Sequence, residues 1–167
     1  MTPATLPATE LPIPDLDWSI ASYKGHQTSD GFAYVASLRR NGKKVASVEH
    51  DGRGGTVMVF WTTAAKEHRQ AWNRWVADYQ SLHPENAAYE PEGTAVESLI
   101  DEYEVAAKLR RATRRETPVL RPGESVLSSG GFTALRGLPD SPEVRAFLKR
   151  PDNEFDRFWD GRAWVRL

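Results

Sequence analysis

Two periods divide the chain. From Leu16 to Trp61 apolar residues recur at every second position: Trp18 and Ile20 alternate with Asp17, Ser19 and Ala21, and Phe32, Tyr34, Ala36 and Leu38 alternate with Ala33, Val35 and Ser37. A period of two puts alternate side chains on opposite faces of a strand. Asn41-Gly42 follows the second run directly, and this dipeptide tolerates the positive φ that both central positions of a type I′ hairpin turn require. A third run over 43–49 leads into Asp51-Gly52-Arg53-Gly54-Gly55 and then into Thr56-Val57-Met58-Val59-Phe60-Trp61. Connections this short cannot carry a parallel crossover, so the pattern predicts an antiparallel meander of three or four strands over 16–61.

Beyond Thr62 or Thr63 the period becomes helical. Ala65, His68, Trp72, Trp75, Val76 and Tyr79 fall at spacings of three and four, with Lys66, Glu67, Arg69, Gln70, Asn73 and Arg74 on the other face, which predicts a helix over 63–82 bounded by Pro84. Thr94-Ala95-Val96-Glu97 has the form of a capping box, in which hydroxyl and carboxylate satisfy each other's backbone N–H groups. Val96, Leu99, Ile100, Tyr103 and Ala107 then mark a second amphipathic helix over 94–114. Ser141-Pro142-Glu143 starts a short third helix, with Ser as cap and Pro at the first helical position; Val144, Phe147 and Leu148 supply its apolar face and Pro151 ends it. Residues 117–120 read as a short strand. The tail over 155–167 is aromatic and holds Asp160-Gly161, a second hairpin signal; a two-residue loop there places Trp159, Arg162 and Trp164 on one face of a ribbon.

The predicted class is α+β: an N-terminal antiparallel β-meander of three to four strands packed against two amphipathic helices, with a short third helix and an aromatic C-terminal β segment. The chain of 167 residues suits one domain, expected over 15–167. Residues 1–14 carry Pro3, Pro7, Pro12 and Pro14 among small and polar residues, with no basic residue and no apolar run of the kind a secretory signal needs, and are expected to be a flexible leader.

Composition narrows the chemistry. Cysteine is absent, which excludes disulfides, thiolate metal sites and cysteine nucleophiles, and accords with the cytoplasmic location expected here. Lys and Arg number 22 against 23 Asp and Glu, a net charge of −1. No long-range field of either sign is available to recruit nucleic acid or a membrane. No run approaches the ~18 apolar residues of a membrane span.

Three places could act locally. The loop His50-Asp51-Gly52-Arg53-Gly54-Gly55 could form a backbone nest for an anion, with Arg53, Gly54 and Gly55 as its contacts. A phosphate-cradling loop normally opens a helix, however, and a β run follows here, which favours a plain strand connection. Arg111, Arg114 and Arg115 share a face of the second helix, preceded one turn earlier by Lys108, a density suited to phosphate. Acid at a helix start and base at its end also suit the helix dipole without any ligand. Trp159 and Trp164, interleaved with Arg157, Arg162 and Arg166, could present stacking surfaces, or they could clasp the tail onto the sheet, which their large apolar area favours. His26, His50, His68 and His83 have no metal-ligand spacing, no serine has a nucleophile-elbow context, and no motif calls for a cofactor.

Asn41-Gly42-Lys43-Lys44-Val45-Ala46 followed by Asp51-Gly52-Arg53-Gly54-Gly55 resembles a hairpin of small uncharacterised proteins from phages and mobile elements. The resemblance covers about fifteen residues, consists mostly of turn chemistry, and implies a context, that of an accessory factor acting on a host protein, and no catalytic residue. The leading expectation is therefore a non-catalytic binding protein whose partner is a host protein. Nucleic-acid binding at the basic end of the second helix, or a small enzyme acting on an anionic substrate near His50, Asp51 and Arg53, stand as alternatives.

Overall fold

The computed structural model describes residues 2–62, 66–86 and 89–167. They form two compact units, Met1–Thr5 with Pro12–Tyr103, and Leu6–Leu11 with Glu104–Leu167.

The first unit begins with a two-stranded ribbon, β1 (Ala4–Thr5) and β2 (Pro12–Ile13). The expected meander follows as β3 (Trp18–Gln27), β4 (Phe32–Arg40), β5 (Lys43–Asp51) and β6 (Met58–Trp61), antiparallel neighbours in chain order. Asn41 and Gly42 take φ of 50° and 77°, as a type I′ turn demands. A bulge between Ala21 and Lys24 in β3, with Ser22 at φ 56°, shifts the register by the extra residue. The first helix, α1, spans Lys66–Leu82; the residues 63–65 that were expected to begin it lie outside the described residues. A 3₁₀ turn at Pro84–Asn86 follows.

The second helix, α2 (Pro91–Ala112), starts three residues before the capping box expected at Thr94 and ends two residues before 114. Proline is well suited to the first turn because its N–H would be unpaired there in any case. Thr94 is accordingly inside the helix, its hydroxyl donating back to the carbonyls of Pro91 and Glu90 at 3.1 and 3.3 Å. Its sequence resembled a cap because the same hydroxyl can satisfy either end of a backbone bond.

A continuous run of ring contacts holds α1 to the sheet. Trp61 meets Trp18 at 6.5 Å between centroids, Trp18 meets Trp72 at 4.9 Å, and Trp72, Trp75 and Tyr79 along one face of α1, then His83 just past its end, follow at 5.3, 5.7 and 4.4 Å. Polar edges of the rings are satisfied: Trp72 Nε1 donates to Glu92 Oε1 at 2.7 Å, the Tyr79 hydroxyl is hydrogen-bonded to that of Ser98, and His83 Nε2 donates to the Pro12 carbonyl at 2.8 Å. Beneath the rings, Ile20, Ala36, Leu38, Ala46 and Val48 are buried on the facing side of the sheet.

The second unit takes the later part of α2 into β7 (Glu116–Leu120), β8 (Thr133–Arg136), α3 (Pro142–Leu148), β9 (Arg157–Trp159) and β10 (Trp164–Arg166). Its strands make a four-stranded antiparallel sheet in the order β10-β9-β7-β8. The Ser141 cap is formed as expected, its hydroxyl accepting from the Val144 N–H at 3.4 Å with Pro142 in the first turn. Ala8, Val105, Leu109, Leu120, Val126 and Trp159 form one core cluster, and Val119, Val144, Leu148 and Phe155 another.

Residues 2–14 differ from the flexible leader expected of their prolines. Leu6 and Ala8 are buried in the second unit, and Ile13 and Pro14 in the first. Glu10 takes a positive φ of 61°, closing a tight loop in which the Leu6 N–H reaches the Leu11 carbonyl at 2.9 Å. The prolines disguise this because they remove backbone donors without preventing neighbouring apolar side chains from packing.

Trp72 has no exposed surface and touches rings on both sides. Trp72→Ala is expected to lower unfolding free energy by about 3–5 kcal/mol, and Trp61→Ala, at the half-buried end of the run, by clearly less. Urea unfolding followed by circular dichroism checks the order; equal losses would show that the run does not anchor the helix.

Candidate functional site

The glycine loop is held by its own side chains. The Gly52 N–H donates to His50 Nδ1 at 3.0 Å, His50 Nε2 donates to the Gly55 carbonyl at 2.9 Å, and the Arg53 N–H donates to Asp51 Oδ1 at 2.9 Å. His50 Nδ1 also lies 3.2 Å from the Phe32 carbonyl, so the ring bridges three backbone groups of the two strands and the loop. Two of the N–H groups a nest would turn toward an anion are thus already used. A carboxylate oxygen of Asp51 would lie only 3.5 Å from a Cβ at Gly55, so the concavity is already bordered by negative charge. Arg53, Gly54 and Gly55 are exposed, as the binding reading requires, yet the loop's geometry is that of a strand connection.

Beside the loop lies a hollow of about 180 Å³ lined by His50, Gly55, Tyr89, Glu90 and Glu97 among others. Its lining charges are carboxylates, and neither Asp51 nor Arg53 reaches it. Among the described residues that line it there is no Lys or Arg to meet an anionic substrate. The Tyr34 ring is stacked on His50 at 5.6 Å, and burial first, then Glu97, Tyr23 and Glu90, hold its phenol well above the ordinary value. The group is a neutral hydroxyl packed under the loop and carries no charge into the site.

The basic residues are placed differently from the helical face expected of them. Because α2 ends at Ala112, only Arg111 stands on the helix; Arg114 and Arg115 lie in the turn that leads into β7. All three are exposed. At the end of the helix both the N–H and the hydroxyl of Thr113 bond the Leu109 carbonyl at 2.9 Å.

At the C-terminal ribbon, Trp159 is 5% exposed within a core cluster and offers no ring to a ligand. Trp164 packs against that cluster and donates its Nε1–H to the Ala8 carbonyl at 2.8 Å. The expected two-residue loop is a longer one. Trp159 and Trp164 are paired across the ribbon, leaving 160–163 as the turn, with Asp160 Oδ1 accepting from the Arg162 and Ala163 N–H groups at 2.7 and 2.9 Å. Arg162 is therefore an exposed turn residue and does not share the face of the two tryptophans.

A different surface stands out once the strands are in register. Lys24, Val35, Glu49 and Met58 form one row across β3, β4, β5 and β6, and Ala21, Ser37, Ser47 and Phe60 form the next. These side chains point away from the buried face that carries Ile20, Ala36, Leu38 and Val48, because residues alternate along each strand. Val35, Met58 and Phe60 are 49%, 44% and 50% exposed. Sheets with one face packed normally solvate the other with polar side chains. Here that face carries three large apolar groups around small residues. The sequence signal was the run Val57 to Trp61, apolar at five successive positions, which makes both faces of β6 apolar.

The chain matches no protein-family model, no curated protein and no solved structure. Among the described residues no three His, Asp or Glu side chains are grouped to hold a metal ion, and no helix is long and apolar enough to cross a membrane.

The loop's structural role is testable by its glycines. Gly52 has φ 73°, and a Cβ there would stand 2.8 Å from the Ala33 nitrogen, whereas Gly54, at φ 77°, has open space around it. Gly52→Ala is expected to cost more than Gly54→Ala, for which only the backbone strain of about 1–2 kcal/mol applies. Arg53→Ala should stay within about 0.5 kcal/mol of the parent. Thermal unfolding of the three variants would contradict the assignment if Arg53→Ala were the most destabilised.

Proposed function

We propose that the protein is a non-catalytic binding module that docks a partner protein on the open face of its first sheet. The observation that carries this reading is the exposure of Val35, Met58 and Phe60 on adjacent strands, with Ala21, Ser37 and Ser47 between them. Contiguous apolar surface on a folded chain marks contact sites, while isolated apolar side chains do not. Small residues in the centre let an opposing surface approach closely, and the larger groups fill pockets on it. Lys24 and Glu49, in the same row as Val35, make no ion pair among the described residues and are available to select a partner by charge.

The alternatives have less support. Arg111, Arg114 and Arg115 are exposed cations on two different elements, and the net charge of −1 adds no wider basic field. Catalysis at the glycine loop would need a cation facing the anionic substrate, and the adjoining hollow is lined by carboxylates.

A photo-crosslinking amino acid at position 60 tests the proposal in the protein's own cells, with position 53 as the exposed control. The expected result is a discrete protein adduct from position 60 that Val35→Lys, on the same face, removes. Adducts indistinguishable between positions 60 and 53, or insensitive to Val35→Lys, would overturn it. Nucleic-acid binding predicts retardation of DNA or RNA that falls steeply with salt; a gel shift is expected to show none.

A further inference from the structure

One row of the open face has a charge pattern of its own, distinct from the cationic row Ser19, Arg39, Lys44 farther along the same strands. In the row Lys24, Val35, Glu49, the cation lies on β3, the apolar residue on β4 and the anion on β5. The two charges are separated by two strand spacings, about 10 Å, with Val35 between them, and make no ion pair with each other. The row is thus antisymmetric in charge about Val35. In the next row Ala21 and Ser47 flank Ser37 at the same positions.

From this pattern we propose that the partner on this face is a second copy of the chain, packed sheet to sheet about a two-fold axis running along β4. Such an axis exchanges the β3 side of one copy with the β5 side of the other and leaves each row facing its own counterpart. Lys24 of each copy then stands over Glu49 of the other, giving two equivalent ion pairs with Val35 against Val35 between them. Ala21 stands over Ser47 and Ser37 over Ser37, so the centre is lined by small side chains, while in the row beyond, Ser19, Arg39 and Lys44, Arg39 stands over Arg39, a like-charge contact that weakens the association. Met58 and Phe60, one strand farther out on β6, overhang the edge of the opposite β3 and cover it. An isologous contact requires this kind of self-complementary surface, and sheets aligned face to face pack about 10 Å apart with side chains of this size between them. This inference rests on the reading of the face as a docking surface and adds the identity of its occupant.

The contact is small. Four strands at about 4.8 Å and rows about 7 Å apart cover much less than the roughly 800 Å² per partner of a standard stable interface. Association is therefore expected in the range of about 100 μM, weakened by salt because its specificity is electrostatic.

Sedimentation velocity and equilibrium on the full chain, from 10 μM to about 1 mM at low ionic strength, test the proposal through charge reversal. The parent is expected to move from its monomer mass of 18.8 kDa toward twice that value. Lys24→Glu and Glu49→Lys alone each face like charge on like and should weaken the dimer about tenfold or more. The double variant K24E/E49K restores opposite charges with the sign exchanged and should return to within about threefold of the parent. Val35→Asp should abolish association, with unchanged circular dichroism showing that the fold is intact. A chain that stays monomeric throughout, or a dimer indifferent to the single reversals, or a double variant no better than the singles, would overturn the second copy as occupant. If the chain is monomeric while position 60 still gives an adduct with another protein that Val35→Lys removes, the docking face stands and only its assignment to a second copy falls.

Discussion

The first unit depends on how one helix is seated on one face of a sheet, and a line of rings does the seating. Trp61 and Trp18 rise from the sheet, and Trp72, Trp75, Tyr79 and His83 continue the line along α1 and just past its end. Each buried aromatic removes about 150–250 Å² from water, and well-placed ring pairs add about 0.5–1.5 kcal/mol beyond that. Hydrogen bonds from Trp72 to Glu92 and between Tyr79 and Ser98 bring the start of α2 into the same arrangement. The bulky residues of this unit are therefore concentrated on one side of the sheet. The other side carries Val35, Met58 and Phe60 with about half of their surface exposed. The candidate docking surface is thus a consequence of where the core was placed.

The second unit is organised around a buried cation. The Arg157 side chain is only 12% exposed, and it bonds to the Glu10 carboxylate, the Glu124 carbonyl and, at 3.3 Å, Asp156 Oδ1. Burying a guanidinium without partners would be costly; with several acceptors the group instead fixes the geometry of the segments that supply them. Trp164 reaches the Ala8 carbonyl in the same region. Together these contacts explain why a proline-rich stretch expected to be free is held at residues 6–11, and why the C-terminal tryptophans serve packing.

What could be read in advance follows from the length over which a pattern persists. The meander was legible because β3, β4 and β5 run for 10, 9 and 9 residues and Asn41-Gly42 specifies its turn. The Ser141-Pro142 start of α3 was legible from local chemistry alone. The second sheet was legible only in part, since β9 and β10 have three residues each and β8 has four, too few to display a period. Arg157 looked like one more surface cation because its acceptors are distant in sequence. The open face was not legible for a related reason: Val35 falls on the side of β4 expected to meet water, and only register with Met58 and Phe60 shows that it belongs to a patch.

Under the proposed function the outer face of the first sheet is where this protein makes its contacts. Backbone amide chemical shifts recorded from dilute to concentrated protein test it residue by residue. Movement is expected to be confined to the strand positions around Lys24, Val35, Ser37, Glu49 and Phe60, while the glycine loop and Arg111 stay fixed. Concentration-dependent shifts centred on the glycine loop or the end of α2, with the sheet face unchanged, would contradict the account.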